Sequence, residues 1–130
     1  MSKRENHSVP SLTEGLEKMK VAVLISGGGT NLQALIDACA APDFPACIAL
    51  VIANEEDAGG LERARQVGIR TQTIRHKDFT ERVDFDYALS AALEKEDVDL
   101  ICLAGFMRVL GAPFVTRWKD KLINIHPALL

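Results

Sequence analysis

Short apolar runs alternate with segments of helical periodicity along this chain. Residues 20–26 are almost continuously apolar and lead into three glycines, which is typical of a central parallel strand buried on both faces. The next segment places apolar residues at i, i+3, i+4 and i+7, so it predicts a helix that ends before Pro42. The apolar face of that helix consists of Leu32, Leu35, Ile36 and Cys39. The patterned part of the chain thus begins with a strand, a glycine turn and a helix.

The same alternation continues through the rest of the sequence. Further strands are predicted at 48–53, 71–74, 98–104 and 122–125. Helices are predicted around Leu61, Ala64 and Val67 with Gly68 as the cap, at about 79–95 with Phe85, Leu89, Ala92 and Leu93 facing inward, and at 111–118 with Pro113 in the first turn. This order predicts an α/β fold with an open, mainly parallel, Rossmann-like sheet and helices on both faces. It occupies residues 20–130, and the polar residues 1–19 are interpreted as a flexible leader.

Composition narrows the class of protein and its partners. The chain has 130 residues, 48% of them hydrophobic and 25% charged, which is ordinary for one globular domain. A net charge of −3 provides no general basic field, so small-molecule partners are favoured over nucleic acid. The sequence has no apolar run of about 18 residues and no signal-peptide pattern, so neither a membrane nor export is expected.

The three cysteines fit a cytoplasmic protein. Cys39, Cys47 and Cys102 are odd in number and have no C-x-x-C spacing. That pattern is typical of reduced thiols rather than of disulfides or zinc ligands. We therefore expect no bound metal.

The glycine loop at residues 26–32 is a candidate anion site. Glycines let the backbone approach an anion closely, and the following helix offers unpaired N–H groups and the positive end of its dipole. Thr30 and Asn31 add side-chain donors at that helix start. The dinucleotide pattern would need a third glycine where Leu32 stands, and the Walker lysine is absent. The loop therefore favours a single phosphate, with a tight strand-to-helix turn as the alternative.

Two chemically able side chains interrupt the last apolar run. Asn124 and His126 are two residues apart, so in a strand they share one face while Ile123 and Ile125 pack on the other. Asn donates an N–H to a developing oxyanion, and His transfers a proton near neutral pH. The alternative is a packed or surface histidine at a strand end. Because ligands of parallel sheets bind at the carboxyl ends of strands, this pair, residues 27–29 and the loop at 105–111 are expected on one rim.

Four segments together resemble phosphoribosylglycinamide formyltransferase. They are Ser-Gly-Gly-Gly-Thr-Asn-Leu at 26–32, Gly-Leu-Glu-Arg-Ala-Arg at 60–65, Ala-Gly-Phe-Met-Arg-Val-Leu at 104–110 and Asn-Ile-His-Pro-Ala-Leu-Leu at 124–130. The resemblance implies transfer of a formyl group from 10-formyltetrahydrofolate to the amine of glycinamide ribonucleotide in purine synthesis. It needs neither a metal nor a covalent nucleophile, and a homodimer is compatible with it.

The resemblance also implies a role for each matching residue. Gly29, Thr30 and Asn31 would hold the ribonucleotide phosphate, and Asn124 and His126 would act on the oxyanion and the protons. Folate would contact Arg82, Met107, Arg108, Val109 and Leu110. For Arg82 and Arg108 the alternative is an ordinary solvated charge. A downstream aspartate and about half of the family's chain lie beyond Leu130, so 130 residues alone are expected to be inactive.

Three rival functions remain. Formyltetrahydrofolate deformylase has a related Asn/His site, but it carries a regulatory domain for which residues 1–19 are too few. Methionyl-tRNA formyltransferase shares the Asn-x-His segment without this glycine loop, and no basic RNA-binding stretch is visible here. A noncatalytic nucleotide-binding module would keep the sheet and the loop but would leave Asn124 and His126 without a role.

Overall fold

A computed structural model describes residues 18–125, which form an open five-stranded sheet flanked by four α-helices. The strands are β1 (Met19–Ile25), β2 (Ala46–Ala53), β3 (Thr71–Thr73), β4 (Leu100–Ala104) and β5 (Leu122–Ile125). The helices are α1 (Thr30–Cys39), α2 (Gly60–Gln66), α3 (Arg82–Glu96) and α4 (Ala112–Arg117). His126 and nearly all of the predicted leader lie outside the described residues.

The sheet confirms the predicted α/β architecture. Its strand order is β3-β2-β1-β4-β5, and every neighbouring pair is parallel. The chain builds outward from β1 to β3, then crosses back to place β4 on the other side of β1. This reversal puts the topological switch point between β1 and β4, where open α/β sheets bind their ligands.

Each face of the sheet packs its own apolar core. Side chains alternate along β1, so Val21, Val23 and Ile25 belong to one core and Ala22 and Leu24 to the other. Helices α1 and α2 cover the first core, and α3 and α4 cover the second. Burial on both faces explains why β1 is a continuous apolar run in the sequence. It also confirms the prediction of helices on both faces.

Three predicted details were wrong. The third helix begins at Arg82 rather than near Phe79, because Phe79 and Glu81 have extended backbones and a 3₁₀ turn at His76–Asp78 fills the connection. Val67 is exposed, since α2 ends at Gln66. Ile123 is also exposed, because β5 is an edge strand.

The remaining boundaries agree with the pattern to within about two residues. Gly68 has a φ of 79°, as a left-handed residue after a helix end requires. Pro113 lies in the first turn of α4, as predicted. Among residues 18–125, no helix is both long and apolar enough to cross a membrane.

Candidate substrate site

The glycine loop leads into the start of α1, where the first backbone amides have no helical acceptor. Gly29 is the residue before the helix and has a left-handed backbone with a φ of 81°. The first helical hydrogen bond runs from Gln33 N–H to the Gly29 carbonyl at 2.8 Å. The amides of Thr30, Asn31 and Leu32 therefore have no acceptor within the helix. The first turn contains no acidic side chain, so these amides and the helix dipole favour an anion.

Helix α2 supports this loop by bonding to its carbonyl groups. Gly60 N–H donates to the Gly27 carbonyl at 3.0 Å, and Arg63 Nε donates to the Gly28 carbonyl at 2.7 Å. These bonds engage two oxygens that would otherwise repel an anion. They also bring the Arg63 guanidinium against the loop.

Packing explains one of the three glycines. A Cβ on Gly29 would lie 2.7 Å from the Gly60 Cα, and its positive φ disfavours any side chain. A Cβ on Gly27 or Gly28 would meet nothing within 4 Å. A tight turn therefore accounts for Gly29 but not for its two neighbours, whose bare backbones leave open space.

The loop after β4 combines exposed apolar side chains with inward-facing ones. Met107 is 82% exposed and Val109 is 69% exposed, whereas Leu110 packs against the core under α3 and α4. The Arg108 guanidinium lies 5.5 Å from the centre of the Phe85 ring, and its Nε is buried without a hydrogen-bond partner. Arg108 is therefore not an ordinary solvated charge.

A chain of hydrogen bonds connects the two loops. Met107 N–H donates to Ser26 Oγ at 2.8 Å, and the Ser26 hydroxyl donates to Asn54 Oδ1 at 2.7 Å. Asn54 is only 2% exposed, and its Nδ2 lies 3.2 Å from His76 Nδ1. Because the amide nitrogen can only donate, His76 accepts at Nδ1 and carries its proton on Nε2, which lies 3.8 Å from Glu55 Oε2. Sequence reasoning assigned no role to Asn54 or His76, although Asn54 directly follows a strand that ends at the same rim.

Asn124 lies near the carboxyl end of β5. It is exposed and pairs in register with Leu103 of β4. Leu122 packs toward α3 and α4 while Ile125 packs toward α1 and α2, so Asn124 shares the α3 and α4 side of the sheet. His126, its predicted partner, lies outside the described residues. Arg82 is exposed at the first position of α3.

The thiols lie away from this rim. Cys39 and Cys47 line a cavity of about 250 Å³ beside Ile36, and all three cysteines are free. Burial raises the pKa of Cys39, with a further contribution from Cys47, and burial also raises the pKa of Cys102. Within residues 18–125, no cluster of three or more His, Cys, Asp or Glu side chains is arranged to hold a metal ion.

The sequence and the fold together define the class. The formyl transferase family profile matches residues 19–130, and the chain belongs to that family. Among its relatives, the trifunctional purine biosynthetic protein adenosine-3 of Homo sapiens is 51% identical over 114 residues, which are 88% of this chain and 11% of that protein.

A shorter relative and a crystal structure support the same family assignment. The phosphoribosylglycinamide formyltransferase of Haemophilus influenzae is 50% identical over 111 residues, which cover 85% of this chain and 52% of that protein. The crystal structure of phosphoribosylglycinamide formyltransferase from Brucella melitensis superimposes with a TM-score of 0.83 at 43% identity, covering 85% of this chain and 58% of that one. The chain thus spans about half the length of these bacterial relatives.

Proposed function

We propose that a protein carrying this sequence transfers a formyl group from 10-formyltetrahydrofolate to the amine of glycinamide ribonucleotide in purine synthesis. The observation that carries this proposal is the 2.8 Å bond between Met107 N–H and Ser26 Oγ. It joins an anion-favouring helix start to an exposed apolar loop at the switch point of a formyl transferase sheet. A phosphorylated acceptor and a folate donor would then meet at one rim.

The glycine loop binds the phosphate of the ribonucleotide in this proposal. The free amides of Thr30 and Asn31 donate to phosphate oxygens, and the side chains of both residues add further donors. Gly29 contributes mainly by fixing the turn, since its conformation and its contact with Gly60 leave no room for a side chain. The carbonyl oxygens of Gly27 and Gly28 accept hydrogen bonds from α2, which also favours an anion at this loop.

The loop after β4 binds the folate. The exposed side chains of Met107 and Val109 cover the flat pterin ring, while Leu110 supports the loop from the core. Arg108 contributes its backbone polar groups, since its side chain packs on Phe85. Arg82, at the exposed start of α3, contacts a more distant part of the folate and contributes less.

The chemistry needs an oxyanion donor and a proton acceptor. The ribonucleotide amine attacks the formyl carbon, and the carbonyl electron pair moves to oxygen. Asn124 donates its amide N–H to that oxyanion. As the intermediate collapses, the bond to the folate nitrogen breaks, and His126 moves the proton from the attacking amine to that leaving nitrogen. Holding both substrates at one rim supplies the proximity contribution.

Formyl transfer by a chimera tests the proposal. Residues 19–130 would replace the matching segment of the Haemophilus influenzae relative, and the formylated ribonucleotide would be measured. We expect turnover that Asn124→Ala lowers about a hundredfold while ribonucleotide affinity stays nearly unchanged. The 130-residue chain alone should transfer no formyl group.

The same assay separates the rival functions. Release of formate without an acceptor would favour a deformylase, and phosphate binding without either reaction would favour a noncatalytic module. A folded chimera that binds both substrates but turns over equally well with Asn124→Ala would contradict the proposed mechanism.

A further inference from the structure

The described residues contain two buried polar or charged side chains, and hydrogen bonds link both to the loop after β4, Asp86 directly and Asn54 through Ser26. Asn54 is 2% exposed and Asp86 is 4% exposed. Asn54 reaches one side of the loop through Ser26, whose hydroxyl oxygen accepts the Met107 N–H. Asp86 Oδ2 accepts the Gly111 N–H at 2.8 Å, just beyond the other end of the segment from Met107 to Leu110. The loop is thus fastened on both sides of its exposed part.

Burial of the Asp86 carboxyl is unfavourable for the stability of the fold. Its Oδ1 is buried without a hydrogen-bond partner, and such an atom destabilises a fold. The Arg108 guanidinium lies over the neighbouring Phe85 ring, and its Nε is also buried without a hydrogen-bond partner. An apolar side chain at position 86 would avoid this cost but could not accept the Gly111 N–H.

The geometry at Gly111 shows how closely the loop and α3 fit together. A Cβ on Gly111 would lie 2.8 Å from Asp86 Oδ2, so the backbone reaches the carboxyl only because no side chain intervenes. Gly111 is also the residue before α4. The single contact therefore fixes where the loop ends and where the next helix begins.

We propose that Asp86 and the Ser26–Asn54 pair are positioning residues, which hold the segment from Met107 to Leu110 ready for the folate. This inference rests on the proposed function for the ligand, but the order of the loop is measurable without it. Met107 and Val109 are too exposed to be fixed by their own packing. Hydrogen bonds at the two sides therefore add to the packing of Leu110 and Arg108 in preorganising this backbone, which lowers the entropic cost of binding.

Four variants of the chimera with the Haemophilus influenzae relative test the proposal. Asp86→Ala and Ser26→Ala each remove one acceptor of a loop amide. Asp86→Asn keeps an oxygen for Gly111 N–H. Ser90→Ala is the matched control, because Ser90 lies one turn further along α3 and its hydroxyl accepts the Trp118 Nε1 hydrogen bond at 3.0 Å without contacting the loop.

Two readouts are needed. Amide hydrogen exchange across residues 105–111 should become about tenfold faster in Asp86→Ala and Ser26→Ala, and a folate analogue should bind about tenfold more weakly. Asp86→Asn and Ser90→Ala should stay within about twofold of wild type in both. The affinity for glycinamide ribonucleotide should change less than about twofold in the Asp86 and Ser90 variants, whose residues lie outside the glycine loop.

The possible outcomes separate this inference from the proposed function. Unchanged loop exchange in Asp86→Ala would overturn the inference, as would equal effects of Asp86→Ala and Ser90→Ala on folate affinity. Equal losses of folate and ribonucleotide affinity in Asp86→Ala would also overturn it, since they indicate general destabilisation. If wild type binds no folate analogue, while loop exchange still quickens in Asp86→Ala and Ser26→Ala, the result would instead contradict the proposed folate site.

Discussion

The two loops of the candidate site are shaped by different means. The glycine loop after β1 takes its turn from its own residues, because Gly29 has a left-handed backbone and α1 starts at the next position, and α2 then bonds to the finished turn. The loop after β4 depends on distant side chains. Its Met107 amide is held by Ser26, which lies 81 residues away in the sequence, and its Gly111 amide is held by Asp86 from α3.

The difference teaches how each loop would fail. Adding atoms at Gly29 damages the fold, because the Gly60 backbone of α2 packs directly against it. Removing single atoms at the loop after β4 should loosen it while leaving the sheet intact, since only hydrogen bonds are lost. The following predictions test this contrast, starting with the largest expected effect.

Gly29→Ala should lower the free energy of unfolding by about 2 to 3 kcal/mol. The new Cβ would meet the Gly60 Cα at 2.7 Å, and the φ of 81° disfavours any side chain. Urea unfolding measures the loss. Gly28→Ala is the control, since its Cβ meets nothing within 4 Å, and a similar loss there would contradict the packing argument.

Asn54→Ala should cost about 2 kcal/mol of stability, because it leaves the Ser26 hydroxyl without its buried acceptor. The same unfolding experiment measures it. Amide exchange in the Asn54→Ala variant should quicken at Met107 more than at Gln33, whose N–H donates to the Gly29 carbonyl of the glycine loop. Equal changes in both loops would mean that Asn54 supports the whole rim rather than the loop after β4.

Gly28→Val should weaken binding of glycinamide ribonucleotide by about tenfold or more while changing stability little. The open space beside Gly28 is where we place the ligand, and a branched side chain would fill it. Calorimetry measures the affinity. The folate analogue should bind this variant as it binds wild type, and unchanged ribonucleotide affinity would exclude the glycine loop as the phosphate site.

His76→Ala should have the smallest effect, about twofold on folate affinity and none on ribonucleotide affinity. His76 accepts a hydrogen bond from Asn54 at the far end of the network, 3.2 Å from Nδ2. Fluorescence titration with the folate analogue measures the change. An effect as large as that of Ser26→Ala would give the histidine a more direct role.

The sheet was predictable because its signals are local. Continuous apolar runs marked the buried strands, and the spacing from Leu32 to Cys39 marked α1. The start of the third helix was predicted less accurately. Phe79 lies in a connection with no periodicity, and its ring centre is 5.9 Å from that of Phe85. Its apolar character was read as helical although it serves the core from an extended backbone.

The site was only partly predictable, because the contacts that join its two loops are not local in the sequence. The glycine loop and the segment from Met107 to Leu110 each have a pattern of their own. The contacts that join them do not, because Asn54 and Asp86 resemble an ordinary loop residue and an ordinary helix acid in the sequence. Only the parallel register, which places the ends of β1, β2 and β4 side by side, brings Ser26, Asn54 and Met107 together.

The central claim is that one rim binds two substrates at two separate loops, and a single amide-resolved NMR titration tests it most directly. Glycinamide ribonucleotide should shift the amides of Gly28 to Leu32, and a folate analogue added next should shift those of Met107 to Leu110. Shifts from the ribonucleotide at the loop after β4 alone, or from both ligands at sites remote from this rim, would contradict the account.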